Sequence, residues 1–115
     1  MRTNLDGVFY VARAVAKHMI GRERGKIVNI CSLMSEVGRP TIAPYTAAKG
    51  AVKMLTKAMC ADWARYNIQV NGIDPAPAPG RREELVGAAI FLTSSASDFV
   101  NGQIVYVDGG VLAAI

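Results

Sequence analysis

Apolar residues recur along the chain with two different periods, and these periods divide it into alternating helices and strands. Over residues 4–20 the spacing is three to four residues, which predicts a helix. Two registers of apolar residues run along this helix, so we expect it to be buried on more than one side. The first register comprises Leu5, Phe9, Ala12, Ala16 and Met19, and the second comprises Val8, Val15 and Ile20.

Short apolar runs that are rich in β-branched residues predict buried strands. The first two are KIVNIC at residues 26–31 and IQVNGI at residues 68–73. The segment GRERG interrupts the apolar pattern between the first helix and the first strand. A third run, GQIVYVDGG at residues 102–110, predicts a strand that ends in a glycine turn.

A second helix is predicted between the first two strands. Gly38 and Pro40 indicate a loop over residues 33–43, and Pro44 fits the first turn of the helix that follows. This helix is expected to extend through about Tyr66. Its inward side comprises Val52, Leu55, Met59 and Trp63.

The last third of the chain predicts a third helix after a proline-rich segment. Three prolines in the seven residues 74–80 exclude a helix or a central strand there. Residues 81–96 follow with helical spacing, and the strands therefore alternate with helices. This order is typical of a layered α/β domain with parallel strands, and the length fits one domain over residues 1–115. The inward side of the third helix comprises Leu85, Ala88, Ala89 and Leu92.

Composition and charge restrict the classes of function. The chain is 51% hydrophobic and 19% charged, which is typical of a globular domain and not of disorder. Its net charge of +4 is spread along the sequence without a run of five like charges. We therefore expect scattered solvated charge and no nucleic-acid partner, with an anionic small molecule as a further alternative.

Targeting, redox and metal signals are weak. The start MRTNLDG has no apolar leader and no apolar run reaches about 18 residues, so we expect a cytoplasmic protein without a membrane partner. Cys31 and Cys60 lack CxxC spacing and are expected to be buried thiols in a reducing compartment. A lone histidine, His18, and scattered carboxylates predict no metal site.

Tyr45 and Lys49 are the first candidates for chemistry. They are four residues apart at the start of the second helix, so they share one face, one turn apart. A lysine ammonium lowers the pKa of a nearby phenol from about 10, and such a tyrosine can transfer protons near neutral pH. By spacing alone, however, a solvated surface pair is the commoner arrangement, and Lys53 and Lys57 continue the same stripe.

Ser32 and Asn4 are candidates because of their places in the pattern. Ser32 directly follows the first strand, and ligands of open α/β sheets collect at the carboxyl ends of the strands. Its hydroxyl could hold a substrate oxygen beside the tyrosine, or it could be an ordinary turn residue. Asn4 precedes the first helix in this pattern, where a helix cap is its simplest role.

Five segments resemble the short-chain dehydrogenase/reductase family, in order and nearly end to end. They are NLDGVFYVARAVAKHM, GKIVNICS, YTAAKGAVKMLTKAMCADWA, IQVNGIDP and NGQIVYVDGG. The motif YTAAK matches the Y-x-x-x-K of that family, Ser32 stands at its serine position, and Asn4 stands at an asparagine position of one family helix. Residues 39–73 are especially similar to gluconate 5-dehydrogenases, a group within the family.

The resemblance implies a Rossmann-like fold and reversible hydride transfer between NAD or NADP and a sugar acid or related polyol. Tyr45 would be the proton donor and acceptor, and Lys49 would lower its pKa and bind the nicotinamide ribose. Ser32 would orient the small-molecule substrate, and Asn4 would hold a water of the proton relay. Tyr45, Lys49 and Pro75 are the implied cofactor contacts.

The chain departs from the family in two places. Only the C-terminal half of the family domain is represented, without the G-x-G-x-x-G turn that seats a pyrophosphate or the residue that reads the adenosine ribose. The substrate lid that follows the second strand is also deleted, near residues 74–81. We therefore expect a truncated Rossmann-like half-domain in which cofactor binding is impaired and activity alone is weak or absent.

Two alternative functions and an assembly follow from these departures. The chain could be a non-catalytic, self-associating fragment or a design. It could also be a weak esterase or lactonase that uses Ser32, Tyr45 and Lys49, although it has neither G-x-S-x-G nor S-x-x-K. We expect a homo-oligomer, formed through the two long helices or the open edge of the first strand.

Overall fold

A computed structural model describes the backbone of residues 2–30, 42–75 and 83–107 together with Gly109. Side chains are described from residue 6 in the first range and from residue 50 in the second. Short 3₁₀ turns follow the second and third helices. The helices and strands are α1 (Arg2–Arg22), β1 (Gly25–Ile30), α2 (Ile42–Trp63), β2 (Ile68–Pro75), α3 (Glu83–Thr93) and β3 (Ile104–Val107).

The three strands form one parallel sheet in the order β1-β2-β3. β1 pairs with the first part of β2, from Gly25↔Ile68 to Ile30↔Ile73. β3 pairs with its last part, beginning at Gly72↔Ile104. β2 is the central strand, and all of its residues but the last are buried. The predicted parallel α/β arrangement is therefore confirmed.

Helices cover both faces of this sheet. On one face α1 and α2 contact each other and the strands β1 and β2, around a core of Ala12, Met59, Ile68 and Val70. On the other face α3 contacts all three strands and buries Leu92 completely. The molecule is a three-layer, Rossmann-like half-domain, as the periodicity and the resemblance predicted.

Most predicted elements agree with the structure, and their ends have identifiable physical causes. The α-helical part of α2 ends at Trp63, and its last predicted turn, Ala64–Tyr66, is a 3₁₀ turn. Asn67 then adopts a left-handed conformation with φ 60° and stops the helix. Its side-chain amide donates a hydrogen bond of 3.1 Å to the Glu23 carbonyl, which joins this turn to the one before β1.

The expectation that residues 74–80 contain no central strand is wrong for Asp74 and Pro75, the last two residues of β2. Pro75 pairs with Val107 of β3, whereas the pairing of β2 with β1 stops at Ile73. On the β1 side the missing N–H of proline therefore removes no hydrogen bond of the ladder. Residues 76–82 lie outside the described part of the chain.

The expectation that α1 is buried on more than one side is also wrong. Its first register is buried at Ala12 and Ala16, but Val15 of the second register is 39% exposed and Val11 is 65% exposed. The reason is the position of α1 in its layer. It has α2 on one side, and it lies over β1, which is the edge strand of the described sheet.

Candidate functional site

The carboxyl ends of the three parallel strands lie along one edge of the sheet, here called the carboxyl edge. Pro75 at the end of β2 is half-buried there and pairs with Val107 at the end of β3. β1 ends at the same edge with Ile30, two residues before Ser32. In open α/β sheets this edge is where ligands bind.

A lysine–aspartate–tyrosine cluster joins α2 to the carboxyl edge. The Lys53 ammonium lies 3.2 Å from Oδ2 of Asp74, which is only 3% exposed. The same ammonium donates a hydrogen bond to the Tyr106 hydroxyl of β3 and lies 4.5 Å from the centroid of its ring. Burial lowers the pKa of Lys53, but its hydrogen bonds to Tyr106 and Asp74 outweigh burial and hold this pKa above 10.5.

This cluster fixes the direction of α2 relative to the sheet. Asp74 is next to the last residue of β2, so Lys53 lies close to the carboxyl edge, whereas α2 ends at Trp63, shortly before β2 begins. The helix therefore runs antiparallel to the strands. Lys49 precedes Lys53 by one turn, about 6 Å along the axis, so the backbone of the first turns of α2 lies at the carboxyl edge.

A second contact holds α2 on β1. The buried Asn29 of β1 donates a hydrogen bond of 2.9 Å to the hydroxyl of Thr56, which is also buried. Thr56 in turn donates to the Val52 carbonyl, one turn earlier in the helix, at 3.0 Å. Buried polar groups with satisfied hydrogen bonds hold two elements in one relative position. The helix segment that follows Tyr45 and Lys49 is thus attached to both β1 and β2.

The predicted site residues fall partly within the described structure. Tyr45 and Lys49 lie in α2, one turn apart on one face, and Asn4 lies inside α1, although none of these three side chains is described. Since α1 begins at Arg2, Asn4 does not precede the helix as the cap assignment required. Ser32 lies outside the described residues, and its place in the site remains a prediction.

The prediction that Lys53 and Lys57 form a solvated stripe is wrong for Lys53, because it pairs with the buried Asp74. Lys57 is exposed, but its ammonium also contacts another part of the chain, because it donates a hydrogen bond of 3.1 Å to the Gly102 carbonyl. One signal in the sequence could have indicated the cluster. Asp74 is a single carboxylate directly after a run predicted to be a buried strand, and a buried carboxylate requires a partner.

Other candidate chemistry is sparse in the part of the chain that the structure describes. No group of three or more histidine, cysteine, aspartate or glutamate side chains is placed there to hold a metal ion. The lone histidine, His18, is exposed on α1. Cys60 is a free, half-buried thiol whose pKa is raised by burial. None of the described helices combines the length and apolar character that crossing a membrane requires.

Comparison with known proteins identifies the family. The sequence profile of the short chain dehydrogenase family matches residues 1–81, and the chain therefore belongs to this family. It is 51% identical to gluconate 5-dehydrogenase of Gluconobacter oxydans (strain 621H), with 100% of this chain and 55% of that protein covered. It is 49% identical to 5-keto-D-gluconate 5-reductase of Escherichia coli (strain K12), with 97% and 54% covered.

A solved structure agrees with these relatives. A gluconate 5-dehydrogenase from Burkholderia cenocepacia J2315, in complex with NADP and tartrate, has a TM-score of 0.88 and 56% identity. All of this chain and 55% of that structure are covered, so this chain spans about half the length of its relatives. The alignment with the Gluconobacter protein spans 141 positions, more than the 115 residues here, so that relative has residues without a counterpart in this chain.

Proposed function

We propose that this chain is the catalytic half of an NAD(P)-dependent oxidoreductase that transfers hydride to or from a sugar acid, as gluconate 5-dehydrogenases do. One observation supports this proposal more than any other. The contact between Lys53 and Asp74 attaches α2, whose first turns contain Tyr45 and Lys49, to the end of β2 at the carboxyl edge. That edge is the part of an α/β sheet where a cofactor and a substrate meet.

Each candidate residue has a chemical role in this proposal. Tyr45 gives a proton to the substrate oxygen during reduction and takes it back during oxidation. Lys49 would lower the pKa of Tyr45, because a neighbouring cation favours the phenolate, and would hold the nicotinamide ribose. Ser32 would orient the substrate carbonyl through its hydroxyl, and Asn4 would hold a water of the proton relay. Pro75 would be a contact of the nicotinamide.

The residues present fit only the nicotinamide end of the cofactor. The sequence contains no G-x-G-x-x-G turn to seat a pyrophosphate on a helix N-terminus. We propose that a substrate lid is deleted near residues 74–81. In support, the alignment with the Gluconobacter relative contains residues without a counterpart here, and the family match stops at residue 81. A lid excludes water and completes a site. We therefore propose that the isolated chain is weak or inactive alone.

The test is a calorimetric titration of the isolated chain with NADPH, NADP⁺, NADH and NAD⁺. We expect no saturation at millimolar concentration and no NADPH-dependent reduction of 5-ketogluconate above background. Saturable micromolar binding of any of the four would contradict the proposed impairment. If binding and turnover are found, Tyr45→Phe should abolish turnover while binding is kept, because the variant loses only the transferable proton.

A second role, self-association as a non-catalytic subunit, has support of its own. Tyr10 of α1 and Met54 of α2 are large apolar side chains that are 57% and 65% exposed on the same layer. Exposed apolar surface of this kind typically marks a protein interface. We propose that α1 and α2 form the contact of a homo-oligomer. A hydrolytic role has no comparable support, since the lone histidine is exposed on α1.

A further inference from the structure

A polar cavity lies at the edge of the sheet where β1 and β2 begin, and we call it the amino cavity. Gly25 and Lys26, the first residues of β1, line its floor together with Gln69 of β2. The end of α1 forms one wall, and the end of α3 with the turn that follows it forms the other. The volume is about 680 Å³, which is within the range of small-molecule sites.

The amino cavity is separate from the candidate active site. β1 runs from Gly25 at this cavity to Ile30 at the carboxyl edge, and five steps along a parallel strand cover about 16 Å. Dinucleotides and substrates of open α/β sheets bind at the carboxyl edge. A ligand of the amino cavity would therefore be neither the nicotinamide nor the sugar acid of the proposed function.

The wall formed by the end of α1 is cationic. Arg22 is the last residue of α1, Arg24 follows two residues later, and both side chains are exposed. Within the described residues, no carboxylate pairs with the guanidinium of either arginine. A basic residue in the last turn of a helix stabilises the helix dipole, which accounts for Arg22 but not for Arg24 beyond the helix. Guanidinium groups bind oxyanions through two parallel hydrogen bonds, so this wall favours an anionic ligand.

The backbone that carries the two arginines is held in one conformation. Between them, Glu23 adopts a left-handed conformation with φ 55°. Its N–H donates to the Ile20 carbonyl at 3.1 Å, and the Arg24 N–H donates to the Met19 carbonyl at 3.2 Å, which is a common helix ending. The Asn67 amide donates to the Glu23 carbonyl from the turn before β2. This wall therefore needs little reordering when a ligand binds.

The floor of the amino cavity supplies a third cation. The Lys26 ammonium donates a hydrogen bond of 2.9 Å to the side-chain oxygen of the buried Gln69, and it lies 2.9 Å from the Asp98 carboxylate. An ammonium has three N–H donors, so one donor pairs with no described residue. The Lys26 side chain is 15% exposed, whereas that of Asp98 is 67% exposed. An ion pair with so exposed a partner contributes little, so a ligand can displace Asp98 at small cost.

The opposite wall is rich in oxygen atoms. Thr93 ends α3, Ser95 begins the 3₁₀ turn that follows, and Asp98 comes directly after this turn. The Thr93 hydroxyl donates to the Ala89 carbonyl at 2.7 Å, so it can only accept from a ligand. Hydroxyl and carboxylate oxygens suit the hydroxyl groups of a ligand, whereas the carboxylate repels a second anionic group. The two walls therefore favour a molecule with one anionic end and one hydroxylated end.

We propose that the amino cavity binds a phosphate monoester of a hydroxylated small molecule, such as a sugar phosphate. Arg22 and Arg24 hold the phosphate, and the Lys26 ammonium is a further donor. Thr93 and Ser95 hold the hydroxyl groups. A phosphate monoester carries a charge of about −1.5 to −2 at neutral pH, which suits two guanidinium groups better than a single carboxylate does. The inference does not depend on the proposed function, because the site lies at the opposite edge of the sheet.

The test is a calorimetric titration of the full chain with glucose 6-phosphate, with glucose and inorganic phosphate as partial ligands. It is done near neutral pH and at low salt, because salt screens contacts between exposed charges. We expect saturable binding of glucose 6-phosphate, binding of inorganic phosphate that is about tenfold weaker or more, and no binding of glucose. In NMR spectra the amides of residues 22–26 and 67–69 should shift, whereas those of residues 105–107 at the carboxyl edge should not.

Two matched variants test the location. Arg24→Gln removes a guanidinium from the wall of the amino cavity and should weaken binding of glucose 6-phosphate about tenfold or more. Arg13→Gln makes the same change in net charge at an exposed residue of α1, about 14 Å along the helix axis from Arg22. This control should bind like the wild type. Thermal unfolding establishes that both variants are folded.

Four results would overturn the proposal. The first is the absence of saturable binding of glucose 6-phosphate. The second is an equal loss in the two variants, which would indicate attraction by net charge alone. The third is inorganic phosphate that binds as tightly as glucose 6-phosphate, because the hydroxylated part would then contribute nothing. The fourth is a set of amide shifts confined to the carboxyl edge, which would place the ligand in the candidate active site.

Discussion

At the scale of single residues, buried amide and charged side chains join the strands to the segments around them. Asn71 of β2 is completely buried, and its side chain has partners on both sides. Its amide group donates to the Val100 carbonyl at 2.9 Å, and its oxygen accepts from the Gln103 backbone N–H at 3.0 Å. This one side chain therefore fixes the segment that leads into β3.

Replacing Asn71 should be costly because two backbone groups lose their partners. We expect Asn71→Leu to lower the free energy of unfolding by about 1–3 kcal/mol, measured by urea denaturation. Gln103→Ala is the control, since it removes an exposed side chain and keeps the backbone N–H that Asn71 accepts. The control should change stability by less than about 0.5 kcal/mol. Equal losses in the two variants would contradict the role of the Asn71 amide.

The Lys53 cluster predicts a pH dependence of stability with a definite sign. The pKa of Lys53 is raised above 10.5 in the folded chain, so the charged form stabilises the fold below that pH. This contribution is lost as the pH rises through the folded pKa. The difference in unfolding free energy between the wild type and Lys53→Met should therefore be constant from about pH 7 to about pH 9 and shrink above about pH 10.5.

Lys57→Met is the matched control for this titration. Lys57 lies one turn further along α2 and donates to a backbone carbonyl, and no carboxylate of the described residues pairs with its ammonium. Chemical denaturation of all three proteins across the same pH range is the measurement. The proposed coupling to Asp74 would be refuted if Lys57→Met reproduced the alkaline change of Lys53→Met.

At the scale of the elements, periodicity predicted which segments form helices and strands, because each apolar stripe has to face the core. The inward residues predicted for α2 agree with the structure, in which Val52 and Met59 are buried. The limits of β2 could not be predicted this way. Whether Pro75 is tolerated depends on where the pairing with β1 stops, and that is a property of two strands far apart in the sequence.

The site shows the same division between local and tertiary information. The i, i+4 spacing of Tyr45 and Lys49 was sufficient to place them on one face of α2, because helix geometry is local. The partner of Lys53 was not predictable, since Asp74 is 21 residues away and meets it only when α2 packs on the sheet. The pattern alone therefore identified Lys53 with the surface stripe.

Substitution by alanine should change the free energy of unfolding in opposite directions at two glycines, Gly25 at the start of β1 and Gly87 in the interior of α3. A Cβ at Gly25, where β1 begins, would lie 2.8 Å from the Cβ of Met19 and closer still to its sulfur. The sulfur can move, but the Met19 Cβ is fixed by the backbone of α1, so Gly25→Ala should cost about 1–3 kcal/mol. Such a Cβ at Gly87, in the interior of α3, would have no described atom within 4 Å apart from its chain neighbours and the backbone of its own helix.

Gly87→Ala should therefore stabilise the chain by up to about 1 kcal/mol, because alanine is the better helix former. Thermal unfolding of the two variants against the wild type is the measurement. A stabilised Gly25→Ala variant would show that α1 shifts away from β1 at little cost. A destabilised Gly87→Ala variant would indicate that this position of α3 contacts residues outside the described part of the chain.

At the scale of the whole molecule, burial decreases from the central strand towards both edges of the sheet. β2 is covered on both faces, whereas β1 and β3 are mostly half-buried. Large apolar residues are exposed in both helical layers, with Tyr10 and Met54 on one and Ile90 on the other. Exposed apolar surface of this kind is typical of protein interfaces, and we expect a domain of this length to gain stability from association.

Self-association through α1 and α2 gives the last prediction. Tyr10 and Met54 project from the layer that these two helices form, and burying both against a second copy would remove apolar area from water without disturbing the core. We expect sedimentation velocity at micromolar concentration to show a dimer or a larger oligomer.

The combined variant Tyr10→Lys and Met54→Lys should be a monomer, because the introduced charges repel across the contact. Ile90→Lys, which introduces the same charge in the opposite layer, should sediment like the wild type. A well-folded wild-type monomer at this concentration would refute this interface.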